Sequence, residues 1–266
     1  MRNLRYLIAF YVVVYSVWYL LFSYGPSRAL ETSGAIPDRI LSGSIALLSI
    51  LPVVLVLSWR LHRGRVLASI GFRRGGVLSG FMWANAFLLP IMLSLLGMLL
   101  VEGPGSLLAI SYVPLPSPVP LWYPIFAPLA WLIGGVAFFA FLQAFPYESM
   151  GDVPKKFAIP LIAALAAGIY NDAFLTGTLR WDDILFFCLL FTVAYHESRN
   201  SIGIIAAYVL AESGVWYVVA SVWGTTPFVV AIFVRTAISI ASASTLIFLH
   251  YVRVKRPSSS TATSPL

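Results

Sequence analysis

The stretch IGIIAAYVLAESGVWYVVASVWGTTPFVVAIFVRTAISIASASTLIFLHYV, residues 202–252, holds two long apolar runs separated by a turn at Gly224 and Thr225. Its length and apolarity read as a hairpin of two membrane-spanning helices, 202–223 and 227–252. One acid and one base interrupt it, Glu212 and Arg235, each near the middle of its run. Glu212 lies about 12 residues before the turn and Arg235 about 10 after it, so at about 1.5 Å per residue their depths differ by roughly 3 Å. The two side chains are expected to pair near the bilayer midplane.

The rest of the chain has the same character. Of 266 residues, 60% are hydrophobic and only 10% charged, a composition that a soluble domain could not place on its surface. The expected class is all-α, a polytopic transmembrane bundle, because each apolar run must satisfy its own backbone hydrogen bonds in lipid. A barrel would show short alternating segments, and none is present. The formal charge of +7 does not point to nucleic acid, since the basic residues are dispersed between apolar runs instead of forming a stripe. A single cysteine, Cys188, excludes an intramolecular disulfide and any multi-cysteine metal site. No cofactor is implied.

Taken in order, the chain reads as eight helices: 7–24, 40–59, 77–101, 122–145, 157–170, 181–195, 202–223 and 227–252. Pro52 is a candidate kink in the second, and Asn85 and Pro90 interrupt the third. The loop 60–76 carries Arg60, His62, Arg63, Arg65, Arg73 and Arg74. Between helices three and four, five prolines over 102–121 preclude a long helix. Helices five and six are short: 15 residues give roughly 22 Å against about 30 Å of hydrocarbon, so both should be enclosed or tilted among longer neighbours. The chain is read as one transmembrane domain, 1–252, with a disordered tail, 253–266, rich in Ser, Thr and Pro.

Orientation follows from the basic residues. With the amino terminus inside and eight passes, Arg2, Arg5, the five arginines of loop 60–76, Lys155, Lys156, Arg199, Arg253, Lys255 and Arg256 fall on one side. Only Arg28, Arg39 and Arg180 fall on the other. Both termini are therefore expected on the cytoplasmic face of the cell membrane.

From the second helix onward the order of segments resembles the CPBP family, the intramembrane endopeptidases that include type II CAAX prenyl proteases and bacteriocin-processing proteins. The resemblance covers about residues 60–223. Ile70-Gly71-Phe72-Arg73-Arg74 is similar to the family's Gly-hydrophobic-Arg signature. Gly134-Gly135-Val136-Ala137-Phe138-Phe139-Ala140-Phe141-Leu142-Gln143 resembles its first motif, with Gly134 and Gly135 in place of two glutamates and Phe139 in place of an arginine. Ala167-Gly168-Ile169-Tyr170-Asn171 resembles the second, with Asn171 where the family has histidine. For the last motif, a His-x-x-x-Asn pair, the nearest fit is Tyr208 and Glu212, or Val209 and Ser213 one residue later. The resemblance implies an intramembrane protease fold whose catalytic positions are altered. Gly134 and Gly135 supply neither a general base nor an oxyanion donor through side chains, and Asn171 donates a hydrogen bond but exchanges no proton near neutral pH.

Each candidate also has a plainer reading. Glu212 and Arg235 either lock helix seven to helix eight or form a polar core for a substrate, ion or peptide. A catalytic base at Glu212 needs a carboxylate free to take a proton, whereas an adjacent Arg235 keeps it ionised and hydrogen-bonded. Glu212, Tyr208 and Asn171 are the remaining candidates for chemistry. Asn85 and Gln143 read as interhelical hydrogen-bond formers, and Gly134, Gly135, Gly168 and the alanines from Ala163 to Ala167 as small residues that let helices four and five approach closely. His62, His196 and His250 sit apart, without ligand spacing, so no metal site is expected. The polar run 195–200 reads as a solvated turn.

The expected function is that of a membrane-embedded binding or scaffold protein of CPBP type, holding a membrane peptide or lipid without cutting it. The alternatives are an active intramembrane endopeptidase using a rearranged acid, and a small-solute transporter.

Overall fold

The computed structural model describes residues 2–21, 35–110, 113–150 and 192–255, together with 158, 161, 162 and 165. Most of the expected fifth and sixth helices, Asn171, Gly168, Cys188 and the tail from 256 lie outside the described residues. Regular structure among the described residues is helical throughout. The helices are α1 Arg2–Tyr19, α2 Ile36–His62, α3 Val66–Ser69, α4 Val77–Glu102, α5 Pro104–Ile110, α6 Tyr123–Gly135, α7 Phe145–Ser149, α8 Ser201–Ala211, α9 Ser213–Trp223 and α10 Thr225–Lys255. A π-helical segment, Val136–Ala144, joins α6 to α7.

Among the described residues, four helical paths are long and apolar enough to cross a membrane: Ile36–His62, Val77–Glu102, Tyr123–Ser149 and Thr225–Val252. The 27 residues of α2 reach about 40 Å, more than the roughly 30 Å of hydrocarbon. Pro37 stands in the first turn, where its missing N–H is no loss, and Asp38 meets the positive end of the helix dipole. Arg60 and His62 occupy the last turn, and Arg63 closes the helix in the left-handed region at φ 52°. The α-helix continues through Pro52, and α4 continues through Asn85 and Pro90, so the expected interruption of the third helix is absent.

Two other expectations change. The fourth helix runs four residues further, to Ser149, by way of the π segment, which places Phe139, Phe141, Leu142 and Phe145 in the main core against Phe10, Ile50, Val54 and Ile204. The seventh helix is not continuous. It divides into α8 and α9, bent by 45° at Glu212.

The most extensive packing is of α10 and α8 against α4 and of α2 against α6. Gly80 and Gly203 bring α4 and α8 into backbone contact: a Cβ on Gly203 would collide with Val77 O and Phe81 N, and one on Gly80 would lie 2.7 Å from Asn200 O. The same crossing fixes the polar run that reads as a solvated turn. Asn200 and Ser201 are fully buried. The Asn200 amide donates to Arg73 O at 2.7 Å and Gly75 O at 2.8 Å while its oxygen accepts from Gly203 N at 3.1 Å, capping α8. Ser201 Oγ donates to Ile70 O at 2.8 Å, and its N–H donates to Gly71 O. His196 and Glu197 are exposed, as a solvated turn requires, but the end of the run at Asn200 is dry because loop 70–75 folds over it, a contact between residues more than 120 positions apart.

This crossing predicts opposite outcomes for two glycines of the bundle. Gly203→Ala should destabilise the protein by about 3 kcal/mol, since helix backbones have to separate. Gly97→Ala, where a Cβ meets nothing within 4 Å, should be neutral or stabilising by up to about 1 kcal/mol. Unfolding in detergent micelles measures both.

Candidate intramembrane site

The break at Glu212 is where the hairpin charges meet the backbone. Glu212 has φ −68° and ψ 116°, an extended conformation, and its N–H donates to Tyr208 O to end α8. In an unbroken helix the carbonyls of Leu210 and Ala211 would accept from the N–H groups of residues 214 and 215. Side chains serve them instead. Trp216 Nε1 donates to Leu210 O at 2.9 Å, and Arg235 Nη2, arriving from α10, donates to Ala211 O. In lipid no water can replace these donors, so the two side chains are what makes the break tolerable. On the opposite side Gly214 admits Trp131, whose ring carbon Cζ2 would lie 2.5 Å from a Cβ at that position.

Arg235 is 6% exposed. The Glu212 carboxylate lies within Coulombic reach of its guanidinium, while the hydrogen bond that Nη2 makes is to the Ala211 carbonyl. Nε of Arg235 is buried without a hydrogen-bond partner among the described residues. Beside it is a cavity of about 350 Å³ lined by Phe81 and Asn85 of α4, Leu210, Ala211 and Trp216 of the broken pair, and Val230, Val234 and Ile238 of α10. Asn85 does not bridge helices as expected; its amide donates to Phe81 O of its own helix at 2.8 Å. Gln143 does reach another segment, accepting from Thr192 Oγ1 at 3.3 Å.

The remaining sites from the sequence are partly assembled. Tyr208 makes an edge contact with Phe139, ring centroids 5.1 Å apart, and its Cδ1 would be 3.2 Å from a Cβ on Gly135. Gly135 therefore packs against α8, where the sequence suggested an approach of helices four and five. Gly134 faces open space. In the other register, Val209 packs into the apolar core and Ser213 begins α9. Asn171 lies outside the described residues, so its distance from Tyr208 and Glu212 is not defined.

A second polar centre, unmarked in the sequence reading, sits where α7 meets the basic loop. Glu148 accepts from Arg73 Nη2 at 2.8 Å and from Tyr195 Oη at 2.9 Å, with Arg199 Nη1 3.6 Å away. Arg199 also lies over the Tyr147 ring, 4.4 Å from its centroid, and Tyr147 Oη is 2.8 Å from His196 Nδ1. His62 Nε2 meets Ser149 Oγ at 2.9 Å. Glu148 is thus surrounded by two guanidiniums and a phenol, an arrangement suited to holding elements together. The available sequence signal was one acid ending an apolar span that faces an arginine-rich loop.

Comparison with protein families, with curated proteins and with solved structures finds no match to this chain.

Removing the two donors at the break has separable costs. Arg235→Leu should lower stability by about 3 kcal/mol because it orphans a buried carbonyl and removes a charged donor. Trp216→Phe, which keeps the ring area, should cost about 1 kcal/mol. Denaturant unfolding of the full chain in micelles reads both values.

Proposed function

We propose that this is a membrane-embedded binding or scaffold protein with a CPBP-type fold and no peptidase chemistry. The observation that carries the reading is the contact of Gly135 with Tyr208. These two stand where the resemblance expects a carboxylate and an imidazole, and a hydrogen atom and a phenol replace them. Hydrolysis of a peptide bond needs a general base close to a water and donors for the oxyanion, and neither side chain provides the base. Glu212, one helical turn beyond Tyr208, lies within the field of Arg235 at the break. That supports a structural carboxylate over a proton-exchanging one.

The broken helix favours a second reading, transport of a small solute. Carriers place discontinuous helices beside a binding site at mid-membrane, and α8, α9 and the cavity share that layout. Carriers of this kind generally use a pair of broken helices related by an internal repeat, whereas the bent pair among the described residues is α8 and α9.

The decisive experiment is a cleavage assay with the full chain in proteoliposomes, using prenylated and membrane-spanning peptides. No cleavage is expected. Cleavage abolished by Glu212→Gln would overturn the non-enzyme reading, and counterflow of a labelled solute would favour the carrier. The distribution of basic residues supports cytoplasmic termini, so a tag at either end should be protected from protease in right-side-out vesicles.

A further inference from the structure

We propose that the cavity beside the break binds the carboxylate end of a single acyl chain, a fatty acid entering from the bilayer. The proposal deepens the preceding reading and rests on it in one respect, that the site holds a ligand without cutting it.

Three observations converge. The first is an unmet donor. Arg235 is buried, gives Nη2 to Ala211 O, and leaves Nε without a partner among the described residues. A guanidinium has five N–H donors in a planar fork that matches a carboxylate. Asn85 stands in the same wall, and its one hydrogen bond, to Phe81 O, uses one of two amide hydrogens. Nε itself is enclosed, but Arg235 lines the cavity with a guanidinium whose hydrogen bond among the described residues is the one to Ala211 O, and Asn85 keeps an amide hydrogen to spare, which calls for an acceptor group on the ligand.

The second is the chemistry of the remaining wall. Apart from Asn85 and Arg235 it is apolar, so the ligand carries its acceptor at one end of a hydrocarbon body. At about 350 Å³ the cavity is at the small end of ligand pockets, which run from roughly 300 to 1,000 Å³. That volume suits one chain and is too small for a folded peptide or for both tails of a phospholipid.

The third is the mouth. Leu210, Val230 and Val234 line the cavity and are 43%, 53% and 51% exposed. In a bilayer those surfaces face acyl chains, so a fatty acid reaches Arg235 sideways without passing through water. Glu212 does not line the cavity. Its field opposes a second carboxylate near Arg235, which gives the proposal a distinctive sign.

The test uses the full chain in phosphatidylcholine nanodiscs with radiolabelled palmitate, and palmityl alcohol as the uncharged analogue. Saturable binding of palmitate at one site is expected, with the alcohol weaker by tenfold or more. Glu212→Gln should tighten palmitate binding and leave the alcohol unchanged. Arg235→Gln should weaken palmitate about tenfold, equivalent to about 1.4 kcal/mol. Because Arg235→Gln also touches the break, a second pair guards against a folding defect. Val230→Trp, at an exposed position of the mouth, should block binding, whereas Ile247→Trp, exposed further along α10, should not. Equal, unsaturable uptake of acid and alcohol, or undiminished binding by Val230→Trp, would overturn the proposal and show a groove filled by ordinary lipid tails. That failure leaves the non-cleaving reading standing, while peptide cleavage would remove that reading whatever palmitate does.

Discussion

A helix that stops within hydrocarbon leaves carbonyl groups that no water can reach, and each unmet group costs as much as a lost hydrogen bond or more. In this protein α8 stops at Glu212, and the carbonyls of Leu210 and Ala211 are taken up by Trp216 and Arg235. Much of the architecture around the bend is arranged about that constraint. Arg235 has to arrive from α10 at the depth of Ala211, so α10 lies along α4 and beside the bend. Gly214 has to lack a side chain, because Trp131 supports the bend from the other side. The buried charge of Arg235 is thereby explained by the backbone it satisfies as much as by the acid near it.

The bend also shapes what the site can do. Each half-helix has 11 residues, about 16 Å, so neither crosses the hydrocarbon alone and the pair together gives about 33 Å. The 45° change of direction leaves room between α4, α8, α9 and α10, and the cavity occupies that room. A continuous helix would close it. The donor that repairs the break is in turn the polar group exposed to the cavity, so structural repair and ligand chemistry fall on one residue, Arg235.

At the other end of α8 the constraint is again an unpaired helix terminus, met differently. Asn200 caps the helix and ties down loop 73–75 with the same side chain, and Gly80 and Gly203 let the α4 and α8 backbones touch. Glu148, Arg73, Tyr195 and Arg199 then join α7 to this junction. The two ends of one short helix are thus held by a buried amide and a buried guanidinium, both directed at backbone carbonyls. Most of the polar groups at the two ends of α8 are thus occupied with structure.

The sequence alone determined the helical membrane class, because apolar runs of about 20 residues in lipid have only local backbone hydrogen bonds to make. It also determined that Glu212 and Arg235 lie at similar depth, since rise per residue is constant. The extent of α2, α4 and α10 was legible within a few residues for the same reason. The break at Glu212 was not, as one acid in an otherwise apolar run does not by itself end a helix, and the bend depends on donors from Arg235 on another helix and Trp216 beyond the bend. The burial of Asn200 was hidden too, because polar residues between two apolar runs look solvated until loop 70–75 folds over them. Tertiary structure alone decided which side chain meets which orphaned carbonyl, since that depends on helix crossings set by glycines far apart in the chain.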